Sequence, residues 1–99
     1  MPNVVVPTPL GQMPAWLAVA TGPVPVPGVV VLHDVGGMSQ DHRSQADWLA
    51  EAGFLALAID LYYRGGFPLC LRAIMRDFTA RAGPTFDDVE AARTWLLVP

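Results

Sequence analysis

Two continuous apolar runs, each ending in a polar loop, dominate the hydropathy pattern of this chain. The first is the run from Val29, which leads into His33-Asp34 and then Gly36-Gly37, and the second is FLALAID, Phe54–Asp60. A strand that is buried on both faces of a parallel sheet loses the alternation of apolar and polar residues. The pattern therefore predicts two buried strands, Val29–His33 and Phe54–Asp60, whose carboxyl ends carry the polar loops.

A helix is predicted between the two strands, from about Ser39 to Ala52. Ser39 suits the N-cap, Asp41 lies in the first turn where the helix dipole favours negative charge, and Gly53 suits the stop. Ala46, Leu49 and Ala50 share one face at helical spacing. Strand, helix and strand in this order predict one right-handed βαβ unit with parallel strands.

The flanking segments predict an edge ribbon and two further helices. Asn3–Val6 and Ala15–Ala20 read as two short strands of an antiparallel ribbon at the N-terminal edge, interrupted by prolines that favour edge positions. Gly22–Gly28 reads as a stiff extended connection. A helix is predicted over Leu69–Arg81. Another begins at Thr85, where Thr85 and Asp88 fit a capping box; its expected buried face comprises Phe86, Val89, Ala92 and Leu96.

The expected fold is a three-layer α/β/α domain over residues 1–99. With 53% hydrophobic and only 15% charged residues, the chain has more apolar surface to bury than its length can cover. All six basic residues are arginine and the net charge is −3, which argues against nucleic acid and anionic membranes as partners. No run approaches the roughly 20 apolar residues of a membrane span, no signal peptide is evident, and a single cysteine agrees with a cytoplasmic location.

Candidate chemistry gathers at the carboxyl ends of the two strands. His33 and Asp34 lie where open α/β sheets place ligands, although the pair could equally cap and polarise its own loop. Ser39, Asp41 and His42 have the residue types of a hydrolytic triad, but neighbours at one helix start cannot converge on a reacting carbon, so capping and solvation are the expected roles. Cys70 lacks a glycine elbow and a base, as expected for a buried structural thiol.

No cofactor or metal is predicted. Gly36-Gly37 lacks the G-x-G-x-x-G spacing of a dinucleotide loop, and His33, Asp34 and His42 lack the spacing of a metal site. Arg64 follows the second strand, where a guanidinium either grips a carboxylate bidentately or is a solvated loop residue.

Taken together, PGVVVLHDVGGMSQDHRSQADWLAEAGFLALAIDLYYRGG and the later FDDVEAARTWL resemble the N-terminal half of the dienelactone hydrolase family. The resemblance extends from about Thr8 onward, and its most specific parts are the HDxGG loop, the AEAGF-to-DLYYR segment and the DD-x-EAA helix. The resemblance implies an α/β-hydrolase that opens ester or lactone bonds of a small substrate without a cofactor.

The resemblance also implies three site residues. The backbone N–H of Val35 would be one donor of the oxyanion hole, and Asp34 matches an acid that meets the resting nucleophile, although glutamate is more familiar at that position. Arg64 matches an arginine that binds the substrate carboxylate. Oxyanion-hole donors are typically worth several kcal/mol of barrier.

The family's nucleophile, in a G-x-C-x-G elbow, and its Asp and His partners do not occur in these 99 residues. We therefore expect a domain truncated before the elbow, with negligible activity alone. In the expected strand order the outer edge of Val29–His33 is bare, so self-association, aggregation or pairing with a partner chain is expected. The chain is then an N-terminal fragment of such a hydrolase, either a truncated gene product or half of a split enzyme, or alternatively a non-catalytic interaction module.

Overall fold

A computed structural model describes residues 3–19 and 26–97. Within them lies one four-stranded sheet with the strand order β1-β2-β4-β3, together with three helices. The elements are β1 (Val4–Thr8), β2 (Gly11–Ala18), β3 (Gly28–Val31), α1 (Gln40–Glu51), β4 (Leu55–Ile59), α2 (Leu69–Ala80) and α3 (Pro84–Leu97).

The two apolar runs form neighbouring parallel strands, as predicted. β3 pairs with β4 in parallel, with Val30 opposite Leu57, and α1 connects the two strands. β1 and β2 form the predicted antiparallel ribbon, and β2 joins it to the other side of β4. β3 therefore lies at one end of the sheet, and among the described residues no strand pairs with its outer edge.

Helices cover both faces of the sheet, which makes three layers. Alternate residues of β4 face opposite ways: Ala56 and Ala58 pack towards Ala46 and Ala50 of α1, while Leu57 and Ile59 join the cluster that contains Ala92 of α3. Small side chains on one face let α1 approach closely, and large ones fill the space beneath α3. This arrangement confirms the predicted α/β class.

The strand boundaries differ from the predicted ones. β2 begins at Gly11, so Pro14 lies inside a central strand, where its carbonyl accepts the Asp60 N–H at 3.0 Å. That contact lies one residue beyond the last β2–β4 pair, at Ile59, so the missing proline N–H removes no bond from the paired stretch. β3 is half-buried rather than buried, because only one of its edges is paired. Of the predicted connection, residues 22–25 lie outside the described residues, as does Ala20.

The predicted helices are all present, but the start of α3 is not the predicted capping box. Ser39 caps α1, with its Oγ accepting the His42 N–H at 3.2 Å. α3 begins at Pro84, so Thr85 lies inside the first turn, and Asp88 bonds elsewhere. The buried side of α3 comprises Thr85, Asp88 and Ala92, while Phe86, which we predicted to be buried, is 39% exposed.

Candidate active site

The loops that leave β3 and β4 are bound to each other. His33 Nε2 accepts the Leu61 backbone N–H at 2.9 Å, and the ring of Tyr62 packs edge-on against the imidazole of His33, with 4.7 Å between centroids. The Tyr62 hydroxyl donates to the carbonyl of Val35 at 2.7 Å. The two carboxyl-end loops therefore form one polar structure, as the parallel strand pair predicts.

The loop after β3 is a tight turn held by hydrogen bonds within its own backbone and from side chains. The carbonyl of Asp34 accepts the Gly37 N–H at 3.0 Å and lies 2.8 Å from His33 Nδ1. Asp34 Oδ1 accepts the Gly36 N–H at 2.9 Å. Gly37 has a φ of +80°, which a residue with a Cβ adopts at a cost, and a Cβ there would also lie 3.0 Å from the Tyr62 ring.

The N–H of Val35 has no acceptor among the described residues. The carbonyls of Asp34 and Val35 and the N–H groups of Gly36 and Gly37 are all bonded. Val35 is 59% exposed, so the turn lies at the surface. A free, fixed donor is what an oxyanion-binding position requires.

The carboxylate of Asp34 has a local structural role. Its Oδ1 holds the Gly36 N–H in an Asx turn. The sequence left two roles open for Asp34, one in the chemistry of the site and one in capping its own loop, and this hydrogen bond is the capping role. Oδ2 has no partner among the described residues.

Arg64, in the loop after β4, forms an ion pair with a buried acid on α3. Its Nη2 donates to Asp88 Oδ2 at 3.1 Å, and the Asp88 side chain is only 1% exposed. Asp88 Oδ1 accepts the Tyr63 hydroxyl at 2.9 Å, and Thr8 bonds the same hydroxyl. Burial raises the pKa of Asp88, while Tyr63 and Arg64 act in the opposite direction.

His42 is buried, whereas the sequence interpretation placed it in solvent. It is 3% exposed, and its Nε2 donates to the carbonyl of Val31, at the end of β3, at 2.8 Å. Desolvation lowers the pKa of His42. The signal available in the sequence was spacing, because His42 lies four residues before Ala46 and eight before Ala50 on the buried face of α1.

A groove of about 240 Å³ lies beside the β3 loop. Asp34 and Val35 line it, together with Tyr62 and apolar side chains of α2 such as Ile74 and Phe78. Arg64 does not line this groove, so the structure brings together two of the three predicted site residues. A larger groove of about 940 Å³ lies against α3 and contains none of the three.

Two absences hold for the described residues, 3–19 and 26–97. No helix there is long and apolar enough to cross a membrane. No three side chains of His, Cys, Asp or Glu are grouped as metal ligands there.

A mixed sheet covered by helices on both faces, with a polar turn at the carboxyl end of a parallel strand, defines an incomplete α/β-hydrolase-like fold. The fold is similar to the crystal structure of a protein from Klebsiella pneumoniae subsp. pneumoniae MGH 78578 that is assigned as a dienelactone hydrolase. The match covers 94% of this chain, with a TM-score of 0.70 and 23% sequence identity. The sequence profile of the dienelactone hydrolase family matches residues 13–97. The chain belongs to the dienelactone hydrolase family.

The chain corresponds to less than half of the proteins it resembles. The match covers 44% of the Klebsiella protein. A protein of Azospirillum brasilense assigned as a carboxymethylenebutenolidase is 37% identical over 54 residues, which are 54% of this chain and 23% of that protein.

Proposed function

We propose that this chain supplies the oxyanion loop of a hydrolase that cleaves carboxylic esters or lactones. The Val35 N–H donates to the oxyanion that forms when the substrate carbonyl is attacked. The free Val35 N–H carries the proposal, since the carbonyls on both sides of it and the next two N–H groups of the turn are bonded. A donor held before the reaction stabilises developing charge without reorganising during it.

Asp34 and Arg64 have supporting roles in this proposal. Asp34 Oδ1 shapes the turn, which leaves Oδ2 to meet a nucleophile brought to the loop. Arg64 binds a substrate carboxylate with donors other than the Nη2 that meets Asp88. Because a guanidinium offers five N–H donors, one bond to Asp88 leaves donors for a second acid.

The nucleophile, the triad acid and the catalytic histidine come from residues outside these 99. The single cysteine, Cys70, lies between two leucines rather than in a G-x-C-x-G elbow, and it is buried. Without a nucleophile, an oxyanion donor gives only residual acceleration. The polypeptide of residues 1–99 is therefore inactive alone.

The test compares residues 1–99 with a chimera that joins them to the part of the Klebsiella protein which the match does not cover. With an aryl ester as substrate, we expect hydrolysis by the chimera and none above buffer by residues 1–99. Ser39→Ala and Cys70→Ala variants of the short chain control for adventitious nucleophiles. Hydrolysis by residues 1–99 that survives both substitutions would contradict the proposal.

Val35 is tested in the same chimera with a matched pair of variants. Val35→Pro removes the N–H and is expected to lower kcat by about 100-fold. Val35→Ala keeps the N–H and shortens an exposed side chain, so its kcat stays near that of the parent. Equal kcat values for the two variants would exclude the Val35 N–H from the reaction.

Among residues 3–19 and 26–97 no strand pairs with the outer edge of β3, which supports a second candidate, a partner chain that adds a strand there. If the partner is the other half of a split hydrolase, it carries a G-x-C-x-G elbow with Asp and His. If the chain is a non-catalytic interaction module, the partner carries none of these. Co-purification from the native cell followed by sequencing of the bound chain separates the two cases.

A further inference from the structure

The peptide group between Asp34 and Val35 contains the free Val35 N–H and the Asp34 carbonyl, whose oxygen has two hydrogen-bonding partners. The carbonyl of Asp34 accepts the Gly37 N–H and also lies 2.8 Å from His33 Nδ1. The C=O and N–H of one trans peptide point in opposite directions in one plane. Whatever holds the Asp34 carbonyl therefore aims the Val35 N–H.

Hydrogen bonding defines which nitrogen of His33 carries the proton. The backbone N–H of Leu61 can only donate, so Nε2, 2.9 Å away, must present a lone pair. The proton of the neutral ring is then on Nδ1, where the Asp34 carbonyl accepts it. The 3.9 Å between Nε2 and Asp60 is consequently no ion pair.

The ring of His33 cannot easily rotate out of this arrangement. Its side chain is 2% exposed, and it packs edge-on against the rings of both Tyr62 and His42. His42 in turn bonds the Val31 carbonyl, two residues before His33. Contacts with the loop after β4 and with α1, which is itself bonded to β3, therefore hold the Nδ1 donor in place.

We propose that His33 is a positioning residue, which orients the Val35 N–H through the shared Asp34–Val35 peptide. The contribution of His33 to catalysis rests on the proposed function, whereas its orientation of the peptide does not. His33 acts through Nδ1–H, which sets the peptide plane, while the Leu61 N–H donated to Nε2 keeps the proton on Nδ1.

The first measurement is imidazole ¹H–¹⁵N correlation on the ¹⁵N-labelled 99-residue chain near neutral pH. The chain has two histidines, and His42 donates from Nε2 to a carbonyl, so the two rings must show opposite tautomers. A His42→Gln variant, with one ring left, assigns the signals. A protonated Nε2 on His33 would overturn the proposal.

The second measurement is the residual dipolar coupling of the Val35 N–H in matched variants. His33→Asn places a donor near the Nδ1 position and loses the Leu61 bond, so the wild-type coupling is retained. In His33→Gln the longer amide can still accept the Leu61 N–H, but no donor is left for the Asp34 carbonyl, so the coupling changes. The same change is expected in His33→Ala, which has neither group. A changed coupling in the Asn variant, or an unchanged one in the Gln variant, would overturn the proposal.

The two proposals fail separately. If His33 behaves as expected while Val35→Pro leaves the chimera active, the proposed function is wrong and the orientation of the peptide by His33 stands. If the Val35 variants behave as expected and the His33 couplings do not, the positioning role alone is wrong.

Discussion

The carboxylate of Asp77, near the end of α2, accepts the backbone N–H of Thr85 in the first turn of α3 at 3.0 Å. Asp77 is 3% exposed and Thr85 is fully buried. The first N–H groups of a helix have no partner within it, so a buried helix start needs an acceptor from elsewhere. The preceding helix provides that acceptor, which joins the end of α2 to the start of α3.

Asp77→Ala should destabilise the chain by about 1–2 kcal/mol near neutral pH, the usual value of a lost helix cap. The Thr85 N–H lowers the pKa of Asp77, so the stabilisation is complete above about pH 3.9, the unfolded value, and is lost as pH falls through the lower folded value. Urea unfolding at several pH values measures both effects. Asp77→Asn keeps an acceptor, and we expect a smaller loss without this pH dependence. Equal stability of the Ala variant and the parent would contradict the capping role.

Gly83→Ala should be more destabilising than either of two matched glycine substitutions. A Cβ at Gly83 would clash with Asp77 Oδ1, and its φ is +124°. Gly53 has a φ of +103° and nothing within 4 Å of a Cβ, so it isolates the backbone strain; Gly65 has neither problem, with only Cys70 Sγ at 4.0 Å. Thermal unfolding should rank the variants Gly83, Gly53, Gly65 from least to most stable. A Gly83 variant as stable as the Gly53 variant would show that Asp77 moves aside freely.

The features predicted from the sequence are those that depend on neighbours along the chain. The apolar runs gave β3 and β4, and Ser39 was predicted correctly as the cap of α1. Thr85 and Asp88 have the spacing of a capping box, but Asp88 bonds Tyr63 and Arg64, more than 20 residues earlier. A local pattern cannot show such a competing partner.

The same distinction holds at the candidate site. Hydropathy located the loop with Asp34 and Val35, and family resemblance suggested their roles. The carbonyls of Asp34 and Val35, on either side of the Val35 N–H, are bonded by His33 and Tyr62, whose rings meet only in the folded chain. The burial of His42 likewise required knowing which helix face meets the sheet.

Arg64→Met should cost about 3 kcal/mol, because it leaves the buried Asp88 carboxylate without its cation. Burial raises the pKa of Asp88, so the native state holds this proton more tightly than the unfolded one. Stability therefore falls as pH rises from about 3.9 through the folded value, and the cost of Arg64→Met is largest above that value.

The control for Arg64 is Arg93→Met, because Arg93 pairs with Glu90 and both side chains are more than half exposed. We expect no measurable change from that substitution. Adding Asp88→Asn to Arg64→Met should restore part of the lost stability, since the amide needs no counter-charge. Urea unfolding of all the variants is the measurement, and equal costs for Arg64 and Arg93 would show that the Asp88 pair is solvated.

His42→Gln should remove a component of the pH dependence of stability. Desolvation lowers the pKa of His42, so the unfolded state binds this proton more readily than the native state. Its contribution is complete above about pH 6.5 and is lost as pH falls through the folded pKa. Glutamine keeps a donor for the Val31 carbonyl but does not titrate, so the slope below pH 6.5 should decrease. An unchanged slope would assign it to other groups.

The outer edge of β3, with which no strand in the described part of the chain pairs, should make the isolated chain self-associate. The strand presents valines beside unpaired backbone groups, and exposed apolar edges without charged residues pair readily with other chains. Light scattering over a range of concentrations should show a rising mass. Hydrogen exchange should show protection that rises with concentration at the β3 N–H groups which do not bond β4, while those of β1, at the other end of the sheet and interrupted by Pro7, serve as the comparison. A compact monomer with a sharp thermal transition at all concentrations would contradict this expectation, and it would mean that burial under α1 and α3 stabilises β3 without an outer partner.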